Sequence, residues 1–157
     1  MQTNSAQRLM LTIQAAQARY FREANAERNL MFMKHKAQQG IWCFGVPFGY
    51  QYSSFKNRRE VIHKSPEASI VRDMFEGVAN KSLMTRRAVL NHFNKKREEV
   101  GLSAVTMDKA IGLLKNAKYT GVFAFPKWGI ATQRWTNINP IIDQRLFHKV
   151  QTRLATI

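Results

Sequence analysis

The longest uninterrupted feature of the sequence is the segment 5–39, which contains neither glycine nor proline. It is rich in Ala, Gln, Arg, Glu and Met, most of which favour helix, and its apolar residues follow a helical period. This narrow stripe consists of Leu9, Ile13, Ala16, Tyr20 and Ala24. We predict a single helix that is capped by Asn4 or Ser5 and ended by Gly40. A helix of about 50 Å rarely buries within a small domain, so we expect it to project, to pair with another chain or to lie against a large partner.

The next stretch, "GIWCFGVPFGYQY" over residues 40–52, has a very different composition. It combines glycine, proline and aromatic residues, which is typical of turns and short strands rather than of helix. We interpret it as the junction between a linker or dimerisation helix over 1–39 and a domain over 40–157. The aromatic side chains are expected to seat this turn on the core of that domain.

Three helices with tight connections are predicted next. The first is "SPEASIVRDMFEGVAN", with Ser65 as N-cap and Pro66 in the first turn. The second covers about 84–98 and the third about 104–116. A β-hairpin ("YTGVFAFPK" and "IATQRWT") and a last helix ("IIDQRLFHKVQTRL") follow. The pattern predicts a mainly α, α+β fold: a long N-terminal helix, then a helix-turn-helix-like bundle with a small β-hairpin.

Charge indicates the class of partner. The chain has 25 Lys and Arg against 10 Asp and Glu, which gives a net charge of +15. Such an excess is typical of proteins that bind a polyanion, above all nucleic acid. An anionic membrane is the rival partner, but no apolar run approaches the roughly 18–20 residues that span a bilayer, and the bases do not lie on one amphipathic helix. We therefore expect no membrane partner and a cytoplasmic location.

The sequence offers no evident catalytic or metal site. Its serines lack a recognisable His–Asp arrangement, and its four histidines are scattered without metal-ligand spacing. Cys43 is the single cysteine, which excludes an internal disulfide and a cysteine-based zinc site within this chain. We expect no cofactor, no metal and no catalytic residue on this chain.

Several basic residues are candidate contacts to duplex DNA. In the third helix, Thr106, Lys109 and Lys115 are predicted to reach base or groove edges, because the major groove admits an α-helix. Gly112 on the same face either allows close approach of a backbone or accommodates packing. The remaining candidates are Lys56, Arg58 and Arg59 for phosphate contact, Arg86 and Arg87 for contact with a polyanion, and Lys118 and Arg134 as further DNA-binding residues. For each group the alternative is a solvated surface patch with no role in binding.

Five motifs in order resemble a known family. They are "KAQQGIW", "PFGY", "SPEASIVRDMFEG", "LLKNAKYTG" and "INPIIDQRLFHKVQTRL". Over about residues 20–155 the chain resembles the recombinase domain of the large serine recombinases, which include phage integrases and transposon or cassette resolvases. The segment 5–39 is similar to the helix that links the catalytic domain of that family to its DNA-binding part.

The resemblance implies sequence-specific binding of a duplex attachment site during DNA integration or excision. It also implies that Arg28, Lys34 and Lys36 lie near the crossover site, in contact with phosphates or the minor groove. The family's serine catalytic domain and its four-cysteine zinc ribbon are expected as partners encoded outside this chain, and the N-terminal helix could mediate a homodimer or tetramer. Two alternatives stay open. One is a stand-alone helix-turn-helix regulator that uses 5–39 as a dimerisation arm, and the other is a catalytic or RNA-binding protein.

Overall fold

A computed structural model of the protein describes residues 4–53 and 60–157. Within these residues, five α-helices and two antiparallel two-stranded sheets confirm the predicted fold class, mainly helical α+β. The elements in chain order are α1 (Ser5–Gln38), β1 (Tyr50–Tyr52), β2 (Val61–His63), α2 (Glu67–Ala79), α3 (Arg86–Glu99), α4 (Met107–Leu114), β3 (Val122–Phe125), β4 (Ile130–Arg134) and α5 (Gln144–Leu154). The chain divides into two compact units, Met1–Gln39 and Gly40–Ile157.

Both ends of α1 are set by local chemistry. At the start, the Asn4 side chain accepts a hydrogen bond from the Gln7 N–H at 2.8 Å, and the Gln7 side chain accepts from the Asn4 N–H at 3.2 Å. This reciprocal capping box satisfies two N–H groups that have no partner in the first turn. After the helix, Gly40 adopts φ +80°, and a Cβ there would collide with the main-chain oxygen of Arg134. The predicted cap and the predicted terminating glycine are therefore both present.

The start of α2 differs from the prediction. The helix begins at Glu67, and Ser65 is not its N-cap. The first-turn N–H groups instead find main-chain acceptors, because Ala68 donates to Lys64 and Ile70 donates to Pro66. Main-chain carbonyls, and not the predicted Ser65 hydroxyl, therefore accept these hydrogen bonds at the start of α2.

The core of the second unit lies where α2 packs against α3 and α5, and where α3 packs against α4. The predicted inward face of α2 is buried throughout. Its members are Ile70, Val71, Met74, Phe75 and Val78, all at most 5% exposed. The other helices of the core each contribute a fully buried side chain: Val89 from α3, Leu114 from α4 and Val150 from α5. Burial of this continuous apolar set drives the helices together.

The aromatic residues of 40–52 pack onto the β3–β4 hairpin and the core, as predicted. The Trp42 ring lies 5.1 Å from Phe123 and 5.5 Å from Trp135, both on the hairpin side. Tyr50 stacks on Tyr119 at 5.8 Å, and its hydroxyl accepts a hydrogen bond from the Ile141 N–H at 2.8 Å. Burial raises the pKa of Tyr50 to about 12. This turn is part of the domain core.

Candidate nucleic-acid interface

Helix α4 has one buried face and one exposed face. Ala110, Ile111, Leu113 and Leu114 are buried. The exposed residues of the helix and its two caps, which we call the α4 outer face, are Thr106, Asp108, Lys109, Gly112 and Lys115. The helix is shorter than the predicted 104–116, because Thr106 has an extended backbone and serves as N-cap. Its side chain makes no capping hydrogen bond. The three predicted base-edge residues are therefore all exposed, Lys109 within α4 and Thr106 and Lys115 at its two caps.

The connection between α3 and α4 is held by a side chain that sequence reasoning missed. Asn94 of α3 accepts a hydrogen bond from the Val105 N–H at 2.8 Å and donates Nδ2 to the Val105 carbonyl at 3.2 Å. Both main-chain groups of one residue are thus satisfied just before α4 begins. Asparagine is a weak helix former. Its presence inside α3 was the only feature of the sequence that could have indicated this role of Asn94.

Arg97, also missed, adds a second tie to this connection. Its Nε donates to the Ser103 carbonyl at 2.8 Å. The guanidinium lies over two aromatic rings, with its carbon 5.1 Å from the centre of Phe48 and 5.4 Å from that of Phe93. These distances are within the range of cation–π attraction. Asn94 and Arg97 together hold residues 103–105, and so set where α4 starts relative to α3.

A groove of about 410 Å³ runs beside α4. It is lined by Pro47 and Phe48 of the turn and by Lys109 and Gly112 of α4. Phe93, Arg97 and the buried Tyr119 also line the space. Tyr119 fixes the position of the turn, because its hydroxyl donates to the Phe48 carbonyl at 2.8 Å. Burial raises the pKa of the Tyr119 phenol, so the hydroxyl stays a donor.

The two cations predicted at the start of α3 are exposed. The Nε of Arg86 donates to the Ile157 main-chain oxygen at 3.1 Å. For Arg87, no hydrogen bond or ion pair is formed with the residues that the structure describes. Arg86 and Arg97 are eleven residues apart along α3, which corresponds to about 16 Å. The α3 start is therefore a separate cationic position from the groove.

Lys118 and Arg134 stand in different environments. The Nζ of Lys118 lies 4.1 Å from the centre of the Trp42 ring, and burial lowers the pKa of this amine. The Lys118 side chain is half-buried, and its ammonium group already interacts with the Trp42 ring within the domain. Arg134 is exposed at the end of β4. The structure does not bring these two residues onto the α4 outer face.

The helix α1 carries the three cations implied by the family resemblance. Arg28 and Lys34 are exposed. Lys36 is half-buried, with its Nζ 4.4 Å from the centre of the Phe32 ring. The predicted contacts Lys56, Arg58 and Arg59 lie outside the described residues.

Within residues 4–53 and 60–157, no group of three or more His, Cys, Asp or Glu is placed to hold a metal ion. Over the same residues, no helix is both long enough and apolar enough to cross a membrane.

Comparisons with known proteins address the family. The family model described as Recombinase matches residues 65–156, which is more than half of the chain. Comparison with curated proteins gave no match.

Two solved structures share the fold. One is described as the crystal structure of an LSR–DNA complex, and it superposes with a TM-score of 0.59 at 17% identity. That alignment covers 82% of this chain and 38% of the other. The second comes from work on the sequence requirements of the Listeria innocua prophage attP site, with a TM-score of 0.58 at 17% identity and coverage of 83% and 52%. This chain therefore spans about two fifths to one half of the chains that it resembles. The match of the family model to helices α2 to α5 and the hairpin between them shows that the protein belongs to the Recombinase family.

Proposed function

We propose that this chain is the DNA-binding part of a large serine recombinase and that it recognises duplex DNA at an attachment site. The observation that carries the proposal is the α4 outer face, which presents Thr106, Lys109 and Lys115 on a helix tied to α3. The net charge of +15 adds a long-range attraction to a polyanion. The family match and the two solved structures, one a DNA complex and the other concerned with a prophage attP site, support the same assignment.

In the proposed complex, α4 enters the major groove. Lys109 and Lys115 donate to acceptors on base edges, and Thr106 reads the groove edge at the start of the helix. Arg86 and Arg87 bind phosphates at the other end of α3. Lys56, Arg58 and Arg59 bind phosphates in a sequence-independent way, and Lys118 and Arg134 extend the contact from the hairpin side.

Strand cleavage is assigned to a serine catalytic domain, which acts together with this chain and a zinc-ribbon domain. The division of the chain at Gln39 and Gly40 supports a linker helix over 1–39 and a DNA-binding domain over 40–157. In this arrangement Arg28, Lys34 and Lys36 of the linker contact DNA near the crossover site.

Exposed apolar residues on α1 support a role for the helix in assembly. Leu9, Ile13 and Tyr20 of the predicted stripe are 62%, 49% and 67% exposed. A stripe of this kind loses contact with water when a second helix covers it. We propose a homodimer or tetramer through α1. Sedimentation equilibrium of the chain and of the Ile13→Lys variant tests this, because a monomeric wild-type protein contradicts the proposal.

Selection from a pool of random duplexes, followed by footprinting on DNA that flanks the host mobile element, tests the DNA assignment. Protection of two inverted half-sites supports recombination, whereas a single promoter operator supports the alternative of a stand-alone regulator. If six to ten cations neutralise phosphates, affinity falls by about 10³- to 10⁵-fold between 50 and 200 mM salt. A flat salt dependence would contradict duplex binding.

Two pairs of substitutions test the division of roles. Alanine at Lys109 and Lys115 should reduce the preference for the selected duplex over a mixed-sequence duplex. Alanine at Arg58 and Arg59 should weaken binding to both duplexes alike. Equal effects of the two pairs would show that the roles are not divided in this way.

A further inference from the structure

Gly112 has no explanation within the fold. It lies inside α4, where glycine destabilises a helix relative to alanine, and its backbone has no positive φ that would require glycine. A Cβ added at this position would meet no atom within 4 Å. Gly77 of α2 is different, because a Cβ there would lie 2.8 Å from Leu83 Cδ1. Packing therefore accounts for Gly77, whereas the space beside Gly112 is open to a ligand from outside the chain.

The surface next to Gly112 is the groove beside α4. Its walls carry two cations, Arg97 and Lys109, and none of its lining residues is acidic. The aromatic residues that line it are Phe48, which is half-buried, and Phe93 and Tyr119, which are buried. A surface that combines positive charge with an accessible apolar ring complements a sugar–phosphate strand, in which charged phosphates alternate with less polar deoxyriboses.

Contacts within the domain fix the position of the Arg97 side chain, which favours binding of an anion. Its Nε is engaged by the Ser103 carbonyl and its guanidinium is stacked over Phe48 and Phe93, so the side chain loses little further freedom on binding. No carboxylate of the described residues lies within ion-pair distance of it. The two terminal nitrogens can then form the paired hydrogen bonds that arginine makes with phosphate.

We infer that this groove binds one strand of the DNA backbone. A phosphate lies on Arg97, the adjoining sugar packs on the half-buried ring of Phe48, and the missing side chain of Gly112 lets the strand approach α4. The inference rests on the proposed function and adds to it: it assigns a phosphate contact to Arg97 and makes Gly112 a determinant of affinity.

The first test is Gly112→Ala in the full chain, titrated against the fluorescein-labelled duplex recovered from the random pool. Removing a helical glycine should raise the thermal midpoint by about 2–4 °C. Forcing a methyl group into a close contact with the strand should weaken binding by roughly 10- to 100-fold. The matched control is Gly45→Ala, because Gly45 is exposed, outside the groove, and equally open to an added Cβ. It should leave affinity unchanged.

The second test is the salt dependence of Arg97→Gln, with Arg145→Gln on the exposed side of α5 as control. Loss of one phosphate contact should reduce the slope of log K against log salt by about 0.9, whereas the control should keep the wild-type slope. Thermal unfolding checks that both variants are folded at the temperature of the assay.

The outcomes separate the two proposals. If wild-type protein binds the duplex with the expected salt dependence, but Gly112→Ala binds equally well or Arg97→Gln keeps the full slope, the groove assignment is wrong and the proposed function stands. If the wild-type protein selects no duplex from the pool, both are overturned.

Discussion

Replacing Asn94 by alanine removes the two hydrogen bonds that tie α3 to the residue before α4. The bonds to the Val105 N–H and carbonyl, at 2.8 and 3.2 Å, contribute about 1 kcal/mol each. Alanine is the better helix former, so the substitution also stabilises α3 by up to about 0.7 kcal/mol. We therefore expect the free energy of unfolding to fall by about 1.3 kcal/mol, which lowers the thermal midpoint by about 3–5 °C for a chain of this size.

Asn91→Ala is the matched control for this measurement. Asn91 is on the same helix and is exposed, and it makes no hydrogen bond with the described residues. The substitution thus gains helix propensity without losing a contact, and should stabilise the protein by up to about 0.7 kcal/mol. The difference between the two variants, about 2 kcal/mol, isolates the two bonds to Val105.

Urea unfolding and amide hydrogen exchange provide the assay. Asn94→Ala should lower the unfolding midpoint and increase the exchange rate of the Val105 N–H well beyond the change expected from global stability alone. On the selected duplex it should also reduce sequence preference with little change in salt slope, because α4 is less firmly placed while the cations remain. The reasoning is refuted if Asn94→Ala is as stable as Asn91→Ala, or if the Val105 amide is as well protected as in the wild type.

Two further predictions concern the aromatic turn. Gly49→Ala forces φ +94° on a residue with a Cβ, which would also lie 3.0 Å from Val71 Cγ2, so urea unfolding should show a loss of at least about 1–2 kcal/mol. Burial raises the pKa of Tyr50 from 10.0 to about 12, so the folded state holds this proton more tightly than the unfolded state. The corresponding stability is complete below about pH 10 and is lost as pH rises towards about 12, and Tyr50→Phe should show a smaller decline in urea midpoint over that range. A Tyr50→Phe protein with the same decline as wild type would show that another group titrates.

Sequence patterns predicted the secondary structure correctly where the conformation of a segment depends mainly on its own residues. The helix predicted over 5–39, its N-cap and the buried face of α2 follow from period, cap chemistry and glycine placement. Prediction was poorer at boundaries. Ser65 was replaced as N-cap by main-chain acceptors, and α4 proved shorter than expected because residues 103–105 are tied to α3.

For the candidate site, sequence reasoning found the exposed residues of α4 but missed those that define its surroundings. Lys109 lies in one helix and Thr106 and Lys115 cap its two ends, so their nearness follows from their order in the sequence. Asn94 and Arg97 act on residues beyond the end of their own helix, and nothing in the order of residue types indicates which main-chain groups they would meet.

By itself, the sequence determined the long N-terminal helix, the helical class of the domain, its positive charge and its family motifs. These depend on composition and on spacing within single segments. Tertiary structure alone decided that Arg97 stacks over Phe48 and Phe93, and that Gly112 faces empty space beside a cationic groove. The physical reason is that a groove exists only where separate segments meet, so the ambiguity of Gly112 between packing and close approach could be resolved only by seeing what surrounds it.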